Sequence, residues 1–128
     1  MIERLKELLK NSYSPYSHFP VSAIVVMKDG KTFSGVNIEN ASYGATICAE
    51  RSAICAAVSA GYQKGEFLEL HVMVGSGKIG TPCFLCRQVI SELFLPTASI
   101  YCYSTGGEVQ EFKVRDLCVT PFGSEDLL

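Results

Sequence analysis

The sequence predicts an α/β fold: a single-domain sandwich with a five-stranded mixed β-sheet flanked by helices. Three observations carry this expectation. Short β-branched segments alternate with helical patterns in the order β-β-α-β-α-β-β. Asp29-Gly30 is a hairpin signal that makes the first two strands antiparallel. The chain has 128 residues, 48% hydrophobic and 19% charged, which suits one ordinary globular core.

The first helix, residues 2–10, is read from Ile2, Leu5, Leu8 and Leu9 at helical spacing. Residues 11–17 follow as a turn-rich loop containing Pro15. Residues 21–27 are apolar on both sides, as in a strand covered on both faces, and residues 32–36 return beside them. Residues 37–44 form a polar, irregular loop. A helix begins at Thr46 or Ile47 and runs to Ala60, with Thr46 as its cap and Gly61 as its stop. Its alanines (49, 53, 56, 57 and 60) allow close packing on a sheet. Residues 69–74 are the third strand, and residues 75–80 a flexible link. Thr81 caps the next helix, with Pro82 at its first position, and that helix runs to about Phe94, before Pro96. Residues 99–103 and 109–114 are the last two strands, around a Gly106-Gly107 turn. A short helix over 114–117 and a tail over 120–128 complete one domain, 1–128.

The formal charge of −2 and the absence of a concentrated basic surface argue against a nucleic acid polymer as partner. The longest apolar run, residues 23–27, is too short for a membrane span, and the N-terminus alternates charged with apolar residues instead of forming a signal-peptide core. A cytoplasmic protein is expected. In that reducing compartment the six cysteines point to metal or catalytic use before disulfides. Cys55, Cys102 and Cys118 lie among apolar neighbours and read as small buried hydrophobes.

The chemistry is concentrated in Cys48-Ala49-Glu50-Arg51 and in Thr81-Pro82-Cys83-Phe84-Leu85-Cys86-Arg87-Gln88. Cys83 and Cys86, three apart, share one side of a helix, and Cys48 falls in the first turn of its own. Three thiolates without a fourth protein ligand describe a zinc site with one position open, the catalytic arrangement. Positive helix N-termini and hydrogen bonds from Arg51 and Arg87 to sulfur offset the charge of the thiolates. Glu50 is poorly placed to ligate the ion but can lean over the open position. There it can take a proton from water, protonate a ring nitrogen and then protonate a departing amino group. A ligand-x-Glu followed by Pro-Cys-x-x-Cys is the pattern of zinc nucleobase deaminases.

Five motifs in order extend the pattern: Pro15-Tyr16-Ser17-x-Phe19, Asn37-Ile38-Glu39-Asn40-Ala41, Cys48-Ala49-Glu50-Arg51, Pro82-Cys83-x-x-Cys86-Arg87-Gln88-Val89 and Phe122-x-Ser124-Glu125-Asp126-Leu127. On these residues the chain resembles the small, homotetrameric, three-cysteine cytidine deaminases. The resemblance implies one zinc per chain and hydrolysis of free cytidine and deoxycytidine to the uridine counterparts, with loss of ammonia, in pyrimidine salvage. It implies that Asn37 and Glu39 hold the ribose hydroxyls and that Phe19 lies against the pyrimidine. It places the backbone of Ala49 and the Tyr43 segment at the pocket, and brings Phe122 to the pocket of a neighbouring chain, so that sites are shared. Two departures stand out. Phe84-Leu85 fills a pair that is small in the family and is expected to crowd the metal, and residues 117–121 lack the Leu-Pro-Gly spacing before the terminal aromatic. Two alternatives remain open: the same chemistry on another aminopyrimidine nucleoside, such as a nucleoside antibiotic, or a non-catalytic zinc-stabilised binding module.

Overall fold

In the computed structural model, which describes residues 1–127, the fold grows from the predicted hairpin. Gly30 takes φ +90°, the left-handed conformation such a tight turn needs, and the Lys31 N–H donates to Asp29 Oδ1 at 3.0 Å. The turn joins β1 (Val21–Met27) to β2 (Thr32–Val36) as antiparallel neighbours. β3 (Phe67–Val74) pairs antiparallel with the other edge of β1. β4 (Phe94–Tyr103) lies parallel to β3, and β5 (Val109–Lys113) closes the sheet antiparallel to β4. The strand order is β2-β1-β3-β4-β5, one mixed five-stranded sheet as expected.

Helices cover both faces. α1 (Ile2–Leu9) sets Leu5 against Ile24, Met73 and Tyr103, and Ser22 on the same face donates its hydroxyl to the Leu5 carbonyl at 2.8 Å. α2 (Ala49–Ser59) and α3 (Phe84–Leu93) cover the opposite face, over Ala23, Val25, Leu70, Val72, Ile100 and Cys102. The alternation of Ile24 with Ala23 and Val25 is the period-two consequence of burying both faces of β1. α2 approaches the sheet closely because its buried stripe is small: Ala49, Ala53 and Ala57 are fully buried with Ile54. Gly35 of β2 completes the fit, since a Cβ there would lie 2.5 Å from the Ala53 nitrogen. α4 (Val114–Leu117) follows β5 directly.

Three expectations are corrected. β4 begins at Phe94, not Ser99: Phe94 pairs with Phe67, their rings 4.9 Å apart, and Pro96 sits where the register jumps before Ser99 meets Glu69. A bulge is where a strand tolerates proline. β3 likewise starts at Phe67, earlier than expected. Cys55 is exposed, because it lies on the outer side of α2, whereas Cys102 is buried and Cys118 half-buried. The last residue of the expected tail, Leu128, lies outside the described residues.

Candidate active site

The two helices on the shared face begin at the same place, and both begin with cysteine. Cys48 is the N-cap of α2 and Cys83 the N-cap of α3, each with extended backbone (φ −73°, ψ 155° and φ −65°, ψ 165°). Thr46 and Thr81, the expected caps, stand two residues too early. Sulfur takes the role of the capping oxygen at Cys83, whose Sγ accepts the Cys86 N–H at 3.5 Å. Pro82 therefore precedes the cap. Cys48 lies just outside its helix, so helical spacing does not fix where Glu50 points relative to it.

Cys48 Sγ lies 3.7 Å from Cys83 Sγ, and Cys83 Sγ 3.5 Å from Cys86 Sγ. All three sulfurs fall within 4.8 Å of one another. Zinc–sulfur bonds of ~2.3 Å in a tetrahedral site put thiolates roughly 3.8 Å apart, so the cluster fits zinc with one position unfilled by protein. The first negative charge settles on Cys48, whose pKa falls to about 5. The neighbouring Cys86 thiol favours that charge, and Arg51 donates to it from Nη2 at 3.4 Å, against the opposing cost of burial. Cys86 is held up by the Cys48 thiolate beside it and by burial. Arg51 thus meets the sulfur as expected.

Arg87 does not. Its Nε donates to the Pro82 carbonyl at 2.7 Å, Nη1 to the Leu117 carbonyl at 3.2 Å and Nη2 to Thr81 Oγ1 at 2.9 Å. It braces the backbone that presents Cys83, and its guanidinium lies 4.4 Å from the centre of the Phe84 ring. Phe84 and Leu85 are 77% and 68% exposed, and neither is among the residues that line the space beside Cys48, Glu50 and Cys83.

Glu50, the second residue of α2, is only 4% exposed. Burial pushes its carboxyl up to about 7, and the Cys48 charge adds to that push. A carboxyl that titrates near neutrality is what a two-way proton carrier needs. Glu50 opens into a cleft of about 200 Å³ lined by Phe19, Asn37, Glu39, Ala49, Cys48 and Cys83.

The far end of the cleft is held by segment 37–39, stitched on one side to Tyr13 and on the other to Ile47. Asn37 is buried, and its Oδ1 accepts from the Val21 N–H at 2.9 Å and from the Ser12 hydroxyl. Its Nδ2 donates to the Phe19 carbonyl at 2.8 Å, which leaves one N–H of the amide for a ligand. Glu39 accepts from the Tyr16 and Ser17 N–H groups and from the Ser17 hydroxyl. Ser17, Val72 and Val74 also line the cleft and were not singled out from sequence. Ser17 stood inside a quoted motif, whereas Val72 and Val74 look like any strand residues.

Two expected residues stand apart. Tyr43, 77% exposed, lines an adjoining cleft with Tyr16 and Asn40, its ring 6.2 Å from that of Tyr16. Phe122, 55% exposed, lies along α3, where its carbonyl accepts from Gln88 Nε2 at 2.7 Å, outside the Glu50 cleft of its own chain.

Residues 1–102 match the family model of the cytidine and deoxycytidylate deaminase zinc-binding region. The chain belongs to that deaminase family. Among its relatives is a cytidine deaminase of Halalkalibacterium halodurans, 38% identical over 127 residues, covering 99% of this chain and 95% of that one. A cytidine deaminase of Mycobacterium tuberculosis is 44% identical over 121 residues, with 91% and 82% covered. The crystal structure of a cytidine deaminase from Burkholderia pseudomallei superposes with a TM-score of 0.90 at 42% identity, covering 94% of this chain and 95% of that one. Deaminase membership agrees with the donor set: three sulfurs, no fourth protein ligand among the described residues, and a buried carboxyl beside them.

Proposed function

We propose that this cleft deaminates free cytidine and deoxycytidine to uridine and deoxyuridine, with one zinc per chain held by Cys48, Cys83 and Cys86. The observation that carries the reading is Glu50, buried beside the three-thiol cluster at the floor of one cleft. Zinc supplies the charge that lowers the pKa of a water from ~15.7 to ~7. Glu50 takes a proton from that water and delivers it to the ring nitrogen N3, which makes C4 electrophilic. The water oxygen bonds to C4. Glu50 then carries the proton of the new C4 hydroxyl to the amino group, the C4–N bond breaks, C4 keeps its oxygen as a carbonyl, and ammonia leaves. Arg51 holds charge on Cys48, and Arg87 holds the Cys83 loop. Phe19 lies against the ring, while Asn37 and Glu39 take the sugar hydroxyls.

Phe84 and Leu85, which would favour a different aminopyrimidine nucleoside if they reshaped the pocket, do not line the cleft. A panel of cytidine, deoxycytidine, cytosine, other aminopyrimidine nucleosides and a cytosine oligonucleotide, followed by loss of ultraviolet absorbance, tests the assignment. The two nucleosides should turn over, and free cytosine and the oligonucleotide should react poorly. Zinc-loaded protein inert towards all of them would leave the binding-module reading.

The working enzyme is a homotetramer with shared sites. Phe122, Phe84, Leu85 and Val119 form exposed apolar surface along α3 and the tail, the kind of surface that marks an interface. The cleft, at about 200 Å³, is smaller than the ~300–1,000 Å³ of a complete ligand pocket, which leaves a wall for a neighbour to supply. Phe122 and the Tyr43 segment are the residues offered. A cytoplasmic location suits the unpaired state of all six cysteines. No helix among the described residues is long and apolar enough to cross a membrane.

A further inference from the structure

Ser17 joins the two ends of substrate recognition through one hydroxyl. Its N–H and that of Tyr16 donate to Glu39 Oε1 at 3.1 and 3.0 Å. Its hydroxyl donates to Glu39 Oε2 and also accepts the Phe19 N–H at 3.1 Å. A carboxylate has about four acceptor positions, and three are taken here. The fourth is on Oε2, beside the Ser17 hydroxyl, and both residues line the cleft that holds Glu50. The Ser17 hydroxyl is also the leading reason why the Glu39 carboxyl lies below the usual carboxylate range.

We propose that Ser17 is a positioning residue for sugar recognition. Its hydroxyl and N–H turn the Glu39 carboxylate so that a single acceptor position meets a hydroxyl of the nucleoside sugar. The bond from the Phe19 N–H sets that position at a defined offset from the ring that meets the base. This inference rests on the reading of Glu39 as a sugar ligand. Without the Ser17 hydroxyl, the carboxylate keeps its charge but regains rotation about its terminal torsion and a solvated Oε2. The loss should therefore fall on binding of substrates that carry ring hydroxyls and not on the chemical step.

The test compares cytidine with 2′,3′-dideoxycytidine, which lacks both ring hydroxyls, in steady-state kinetics of Ser17→Ala, Ser17→Thr and Glu39→Gln. Ser17→Ala should raise KM for cytidine about 10-fold while kcat stays within about 2-fold, as expected for loss of one hydrogen bond to a charged group. Its KM for the dideoxy substrate should match that of the unaltered enzyme. Ser17→Thr, which keeps the hydroxyl, should restore most of the cytidine affinity. An equal rise in KM for both substrates would mark a merely structural role and overturn the proposal, as would an unchanged KM for cytidine. Glu39→Gln separates the two levels. If it still discriminates between the substrates as the unaltered enzyme does, the sugar reading itself fails. If Glu39→Gln loses that discrimination and Ser17→Ala does not, only the role of Ser17 fails.

Discussion

Replacing Gly35 with alanine should damage the active site from a position that does not line it. Gly35 lies on β2 against the first turns of α2. A Cβ built there meets Ala53 N at 2.5 Å, Ala49 O at 2.7 Å and Ser52 Cβ at 2.7 Å, where ordinary contact begins at 3.4 Å. Two of these atoms are backbone and the third is a Cβ, so no side chain can swing aside. To restore contact, α2 must retreat by roughly 1 Å. Overpacking of this kind costs about 1–3 kcal/mol, and the rigidity of the obstacle puts Gly35→Ala at about 3. For a domain of this size that is a fall in Tm of roughly 10 °C. The displaced helix carries Cys48 at its cap and Glu50 in its first turn, and a misplacement of ~1 Å can cost ~100-fold in rate. Gly106→Ala is the control, because its nearest neighbour, Ser104 Oγ, stands at 3.6 Å, and its Tm should move by no more than about 3 °C. Calorimetry and turnover on the same preparations decide the matter. A Gly35→Ala protein that melts with the unaltered chain and keeps its turnover would refute the close-packing account.

Other consequences are as direct. Glu50→Gln should keep zinc and fold, by elemental analysis and circular dichroism, and lose at least the ~100- to ~10,000-fold of a general acid–base group. Cys83→Ala should lose most of its zinc and Cys55→Ala none, because only the former reaches the cluster; a full complement in Cys83→Ala would undo the ligand assignment. His71, stacked 4.7 Å from Tyr101 and bonded to Tyr103 and Glu69, has its pKa lowered below 6.5 by burial, with Glu69 opposing. Since the unfolded chain then binds the proton more tightly, its contribution to stability is present above about pH 6.5 and lost as pH falls. The gap in Tm between the unaltered chain and His71→Asn should narrow from pH 7.5 to 5.5, and a constant gap would contradict the burial account. Protomers carrying Glu50→Ala, mixed during refolding with Phe122→Ala protomers, should exceed the mean of the two separate variants, because a shared site reunites intact Glu50 with intact Phe122. Mixed assemblies, verified by mass, that stay at the mean would end the shared-site proposal.

The core of the site was legible because metal chemistry restricts residue types so sharply. Three thiols, a carboxylate between two of them in sequence, and helix-start signals left few other uses for Cys48, Glu50, Cys83 and Cys86. The mixed sheet followed from one turn and the order of patterns. What escaped the sequence were choices between near-equivalent local options. Threonine is a better cap than cysteine by propensity, yet Cys48 and Cys83 cap their helices, because tertiary placement of the cluster overrides a local preference. Proline at 96 looked like a boundary, but a register jump absorbs it. Arg87 was assigned to sulfur on sequence proximity alone, and its five donors found carbonyls and a hydroxyl closer at hand. Ser17 was invisible for a simpler reason: a serine in a turn has many ordinary uses, and only the folded chain shows which oxygen it serves.

The sulfur that caps α3 has a spectroscopic consequence. The third amide of a helix has no partner inside it, and at Cys86 that N–H is accepted by Cys83 Sγ, itself one of the three sulfurs of the cluster. Deuterium uptake at this one amide is therefore tied to the state of the cluster, while the amides deeper in α3 are protected by the helix itself. Zinc loading should slow exchange at the Cys86 amide more than at the amides deeper in α3, a readout that needs no substrate, dye or label.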